Sequence, residues 1–121
     1  MKYATLYMLK EEEKIMIAQP LEIADGFLER LRGLLGRSGL ADSSAMMIPG
    51  CTSIHTFFMK FTIDAVFVDR NFRIQKAVET LSPWKAAFCF SAASVIELPK
   101  GHIQKYGLTP KTPLEVADGY A

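Results

Sequence analysis

The chain has 121 residues, half of them hydrophobic, enough apolar material for one domain with its own core, and this excludes a disordered tail or a low-complexity linker. Fourteen Lys+Arg stand against 13 Asp+Glu, a formal charge of +1, so the basic excess that an electrostatic nucleic-acid binder gathers on one face is missing. Two cysteines, Cys51 and Cys89, are too few for a disulfide framework, and they fit a reducing cytoplasm.

The first apolar stretch, Tyr3 to Leu9, is broken at once by Lys10-Glu11-Glu12-Glu13-Lys14, which does not read as a secretory signal. No run approaches the ~20 apolar residues of a membrane-spanning helix; the longest, Ala86 to Ile96, carries Ser91 and Ser94. A cytoplasmic protein with no membrane span is expected. Tyr3 to Leu9 and Ile15 to Gln19 read as two β segments around the charged turn. The one strong helical pattern follows over about residues 25–36, where Phe27, Leu28, Leu31, Leu34 and Leu35 recur on one face. Asp25 is placed to cap its start, and Gly36 or Gly39 to end it.

Beyond the loop from Ser38 to Ser44 the pattern turns to β. Met46 to Ile48, Ser53 to Lys60 and Ile63 to Val68 are rich in β-branched, aromatic and other apolar residues. Asp69-Arg70-Asn71 predicts a three-residue hairpin turn with Asn71 in the left-handed region, leading into Phe72 to Leu81. Ala86 to Phe90 and Ala93 to Leu98 are further strands. Pro99 opens a short helix over about 99–106, and Pro113 to Ala117 is a last strand. Many short strands at about ten-residue spacing predict a single, mainly β domain over residues 1–121, a compact sandwich or barrel with the helix packed on it; an α+β sheet is the alternative.

Few residues carry chemistry. A tight turn at Phe61-Thr62 would bring His55, Phe57 and Met59 onto one face with Asp64, Val66 and Val68. That would gather an imidazole, a thioether and a carboxylate among aromatic rings. A His oriented by Asp64 could act as a general base or hold a polar ligand group; the structural alternative is a His55 bonded to backbone and an Asp64 that caps a turn. Cys51 and His55, with Cys89 and His102, lack the paired close spacings of a zinc site, so no metal is expected. There is no nucleophile elbow, phosphate loop or dinucleotide fingerprint, so no cofactor is expected either. Glu97, in Val95-Ile96-Glu97-Leu98-Pro99, and Arg30, on the helix, stand on apolar ground. If buried, either needs a partner, and an Arg–carboxylate fork would serve.

Three blocks in order resemble one family. Glu29-Arg30-Leu31-Arg32-Gly33-Leu34-Leu35-Gly36-Arg37 is similar to its Arg-x-x-Gly-Leu-Met helix. Ser53-Ile54-His55-Thr56-Phe57-Phe58-Met59 with Ile63-Asp64-Ala65-Val66-Phe67-Val68-Asp69 resembles its central hairpin, and Val95-Ile96-Glu97-Leu98-Pro99-Lys100-Gly101 its late strand and turn. Over about Pro20 to Val116 the chain thus resembles the bacterial and archaeal family called domain of unknown function 192. The resemblance implies a compact, mainly β fold, no established activity, and an accessory role beside pilus or secretion machinery for some relatives. Its motif positions fall here on Arg30, Gly33, Leu34, His55, Met59, Asp64, Glu97 and Gly101. Leu35 replaces a frequent Met, and Lys111-Thr112 replaces a frequent Gly-Asp.

The leading expectation is a small soluble binding or assembly module rather than an enzyme. Its ligand-binding candidates are His55, Met59, Asp64, Glu97 and Arg30, and its partner is an unidentified small molecule or protein. The alternatives are a small hydrolase using a His55–Asp64 pair, and a buried polar network of Arg30, His55, Asp64 and Glu97 that only fixes strand register. No residue pattern sets the oligomeric state.

Overall fold

The computed structural model describes residues 2–118; the side chains of Phe27, Leu28, Leu31 and Asp118 lie outside that description. The elements in chain order are β1 (Lys2–Lys10), β2 (Glu13–Ile23), α1 (Phe27–Arg32), β3 (Ala45–Pro49), β4 (Ser53–His55), β5 (Ile63–Val68), β6 (Ile74–Leu81), β7 (Ala86–Phe88), β8 (Ser94–Pro99), α2 (His102–Tyr106) and β9 (Leu114–Asp118). Seven strands form one sheet in the order β6-β5-β8-β3-β2-β1-β9, and β4 and β7 make a separate two-stranded sheet. The domain is mainly β, as the strand spacing predicts.

The sheet curls without closing into a barrel. Its outer strands meet at one corner, where Arg73 bridges Pro113 and the Leu114 amide donates to the Phe72 carbonyl at 2.8 Å. Leu6, Leu21, Met47, Val66, Ile96, Ile103 and Leu114 pack together on one face of the curl. Met46, Ile48, Ile54, Ala65, Phe67, Leu81 and Val95 form a second cluster on the other face. The middle of the sheet is therefore covered on both sides, and β5 is buried at all six of its positions. A strand buried on both faces reads as an unbroken apolar run, which is how Ile63 to Val68 reads but for Asp64.

β2 and β3 run parallel, which requires a crossover; α1 and its loop supply it. The helix is half the predicted length. It ends at Gly33, whose φ of 50° and ψ of −128° leave the helical region and suit a residue without a Cβ. The start is capped by Gly26 with no side-chain bond, while Asp25 instead pairs with Lys2 at 3.4 Å. Of the predicted helical face, Phe27, Leu28 and Leu31 lie outside the described side chains, and Leu34 and Leu35 come after the helix proper. The late helix likewise starts at His102, because Pro99 still belongs to β8.

Two local expectations are corrected. The hairpin between β5 and β6 forms, but its left-handed residue is Phe72 at φ 60°, not Asn71. The Asp69 carboxylate sets that turn by accepting from the amides of Asn71 and Arg73 at 2.9 and 3.0 Å. The segment Ser53 to Lys60 does not fold back on β5. Only Ser53–His55 is a strand, and it pairs with β7.

Candidate functional site

Strand register decides which carboxylate reaches which face. Asp64 pairs with Leu98, and its neighbour Ala65 pairs with Glu97. Because successive side chains alternate, Asp64 points with Leu98 toward α2, and Glu97 points to the opposite face, toward α1 and the β4–β7 sheet. The predicted clustering of His55 and Met59 with Asp64 does not form. The acid that joins them is Glu97.

Asp64 is fully buried and holds three backbone amides. Oδ1 accepts from Thr80 at 2.9 Å, and Oδ2 accepts from Gly101 at 3.1 Å and Ile103 at 2.9 Å. Thr80 lies where Asp64 stands opposite two residues of β6, in a β-bulge with φ 54° at Thr80. Such a bulge frees an amide from the ladder. The other two amides open α2, whose N-cap Gly101 has φ 90° and no local side-chain cap. Asp64 therefore caps a bulge and a helix across the fold.

On the other face, a cavity of about 100 Å³ is bounded by the end of α1 and the turn after it (Arg30, Arg32, Gly33, Leu34, Leu35), by Ile48, by Cys51 and Ser53 to His55, by Met59 and by Glu97. It is somewhat smaller than the ~150 Å³ cavity that accommodates benzene, but it opens to solvent at the rim. Four sequence candidates, Arg30, His55, Met59 and Glu97, meet here; Asp64 does not line it. Sequence reasoning missed Arg32, Leu34, Ile48, Cys51 and Ile54 as walls, since which loop covers which strand is a tertiary fact.

Glu97 sits between Met46 and Ala65 on the neighbouring strands and is 3% exposed. Its Oε1 has no hydrogen-bond partner among the described residues. Burial pushes its carboxyl up to about 7, against a weaker opposite pull from Arg37. The Arg–carboxylate fork expected for Glu97 or Arg30 is made by other residues: Arg37 grips Glu22 through two bonds of 2.6 and 3.2 Å. Among the described residues no hydrogen bond or ion pair joins Arg30, His55, Asp64 and Glu97 to one another. At the mouth, His55 is exposed, and its Nδ1 accepts from the Phe57 amide at 3.2 Å. A neutral imidazole then carries its proton on Nε2. The Cys51 thiol donates to the Ser53 carbonyl at 2.7 Å. No group of three or more His, Cys, Asp or Glu side chains suited to a metal ion occurs among the described residues.

The profile of DUF192, described as "Uncharacterized ACR, COG1430", matches residues 8–116. The chain belongs to the DUF192 family. A UPF0127 protein of Pyrococcus horikoshii is 34% identical over 98 residues, covering 78% of this chain and 84% of that protein. A crystal structure from Sinorhizobium meliloti, described as a candidate transcription regulator, superposes with a TM-score of 0.83 at 20% identity, covering 94% of this chain and 93% of its own. One from Novosphingobium aromaticivorans, of unknown function, gives 0.80 at 18% identity over 93% and 84%. At those identities the likeness to the two structures is one of fold. No helix among the described residues is long and apolar enough to cross a membrane.

Proposed function

We propose that this DUF192 protein is a binding module whose ligand seats in the cavity between α1 and β4 with Glu97 at its floor. The observation that carries the reading is that Glu97, a residue lining an open cavity, has a buried carboxyl oxygen, Oε1, with no hydrogen-bond partner among the described residues. Buried polar groups are nearly always satisfied, and a bound polar group is one way to satisfy this one. Burial that holds the carboxyl near neutrality lets it either accept from an amide or ammonium or, protonated, donate to a carbonyl. Arg30 and Arg32 at the rim favour an anionic group at the ligand's outer end, while Leu34, Ile48, Ile54 and Met59 suit a short apolar middle. The ligand class is thus a small molecule with a hydrogen-bonding head and an acidic tail, such as an amino acid or an amide-bearing carboxylic acid. The proposal keeps the protein in a reducing cytoplasm, on the support of its two free thiols. An accessory role at secretion or pilus machinery would present the same head and tail at the end of a partner polypeptide.

The test is nuclear magnetic resonance of isotope-labelled protein titrated with a panel of amino acids, small amides and carboxylic acids. Saturable shifts at Gly33, Ser53, His55 and Glu97, weakened about tenfold by Arg30→Ala/Arg32→Ala, are expected. A panel that leaves these amides unmoved, or moves them equally in the double variant, overturns the reading.

A further inference from the structure

Large apolar side chains left in water are concentrated on one element. Of the seven exposed among the described residues, Phe57, Phe58, Trp84, Phe88 and Phe90 lie on the β4–β7 sheet and its loops. In both strands the middle residue is buried and the flanking ones exposed. Ile54 and Ala87 therefore face the core, while Ser53 and His55 face out beside Phe88 and Ala86. Rings extend this outer face at both ends. His55, Phe57, Trp84 and Phe58 contact in series, with centroids 4.9, 5.9 and 4.6 Å apart, and Phe88 meets Phe90 at 5.3 Å.

The rings are held out rather than loosely disposed. Phe58 and Trp84 both take left-handed backbone, φ 65° and 67°, which bulky residues avoid; at 71% and 58% exposure both stay mostly in water, covered in part by each other and by Phe57. The Thr56 carbonyl accepts from the amides of Met59 and Trp84 at 3.1 and 3.0 Å, fastening the two loops to each other. A conformation that is costly and fixed, and that packs these rings against one another at the surface rather than into the core, points to a surface shaped for something outside the chain.

Charge says what that is. From Cys51 to Ile63 and from Thr80 to Ile96 the chain has no Asp or Glu, and its charged side chains there are Lys60 and Lys85, both exposed. Outside those segments β6 contributes Lys76, whose Nζ donates to the Phe88 carbonyl at 3.0 Å and lies 5.5 Å from the Phe88 ring centroid, and also the exposed Glu79. Exposed Trp and Phe flanked by lysines, with no acidic side chain in the segments that carry them, match the boundary layer of an anionic bilayer. Rings enter the headgroup region there, and lysines meet lipid phosphates. We infer that the outer face of the β4–β7 sheet is a peripheral docking surface for anionic membranes. It is independent of the cavity ligand, although His55 belongs to both surfaces.

Trp84 is the chain's single tryptophan, so its emission reports this face alone. The full chain is mixed with vesicles of phosphatidylcholine, or of equimolar phosphatidylcholine and phosphatidylglycerol, and followed by fluorescence and co-sedimentation. The expected result is a blue shift of Trp84 and co-sedimentation with the anionic vesicles, weakened by added salt. Lys60→Glu/Lys85→Glu should lower the partition constant at least twentyfold, about fivefold for each charge removed near such a surface. Phe58→Ser/Phe90→Ser should abolish the blue shift, with circular dichroism showing that both variants fold. Unshifted emission, equal binding to neutral vesicles, or a lipid-free self-association that these variants abolish would each overturn the inference, the last in favour of a second copy of the chain.

Discussion

Asp64 and Glu97 lie on adjacent strands within one register step of each other, yet their chemistry diverges because the pleat sends them to opposite faces. Asp64 has three amides to accept from, and Glu97 has an oxygen with nothing to accept from. The first is a structural part. Asp64→Ala would strand the amides of Thr80, Gly101 and Ile103, and each buried donor left without an acceptor costs about 1–3 kcal/mol. With partial relief from water at the exposed Thr80 and Gly101, a net loss of about 3 kcal/mol in denaturant unfolding is expected; a loss under about 1 kcal/mol would contradict the capping role. The sequence displays Asp64 and Glu97 alike, each a lone acid in an apolar strand. Apolar alternation cannot say which faces a cavity when both faces of the strand are buried. That depends on what α1, α2 and the β4–β7 sheet cover, and none of these contacts is local in the chain.

At the scale of elements, the chain's own punctuation and its two local hairpins were legible, and the pairing of strands distant in the chain was not. The charged turn between β1 and β2, the Asp69 hairpin and the run Ile63 to Val68 fall where residue type puts them. β4 does not, because an apolar run such as Ser53 to Lys60 is equally compatible with a long strand or with a short strand followed by a packed loop. Thr56 makes the difference. It is fully buried, and its hydroxyl donates to the Ser82 carbonyl at 2.6 Å while accepting from the Lys85 amide at 2.9 Å. The backbone turns there instead of extending toward β5. Thr56→Val keeps the shape and removes both bonds, so a loss of about 2 kcal/mol is expected, from the missing bonds and the buried groups they leave behind. The Phe57–Trp84 and Phe58–Trp84 contacts should loosen together, which Trp84 fluorescence anisotropy reads directly. Unchanged stability and anisotropy would show that packing alone holds the loops.

For the molecule as a whole, the position of Glu97 makes stability depend on pH in an unusual direction. A carboxyl that gains a cationic partner on folding is held low and favours the native state at neutral pH. Glu97 is raised by burial from 4.5 to about 7, so between those values the native state holds a proton that the unfolded chain has released. Unfolding free energy then falls as pH rises through this window. The penalty is absent below about 4.5 and complete above about 7; at 1.36 kcal/mol for each unit of pKa it approaches about 3 kcal/mol. Other acids contribute slopes of their own, so the informative quantity is the difference between the natural chain and Glu97→Gln, which cannot ionise. That difference should shift toward the variant by up to about 3 kcal/mol between pH 4.5 and 8 in denaturant titrations. Whatever the amide gains or loses in local contacts would offset the curve without bending it. A difference flat across the window would mean that Glu97 ionises as readily in the fold as in water, and the central strands would then not bury it as deeply as their packing indicates.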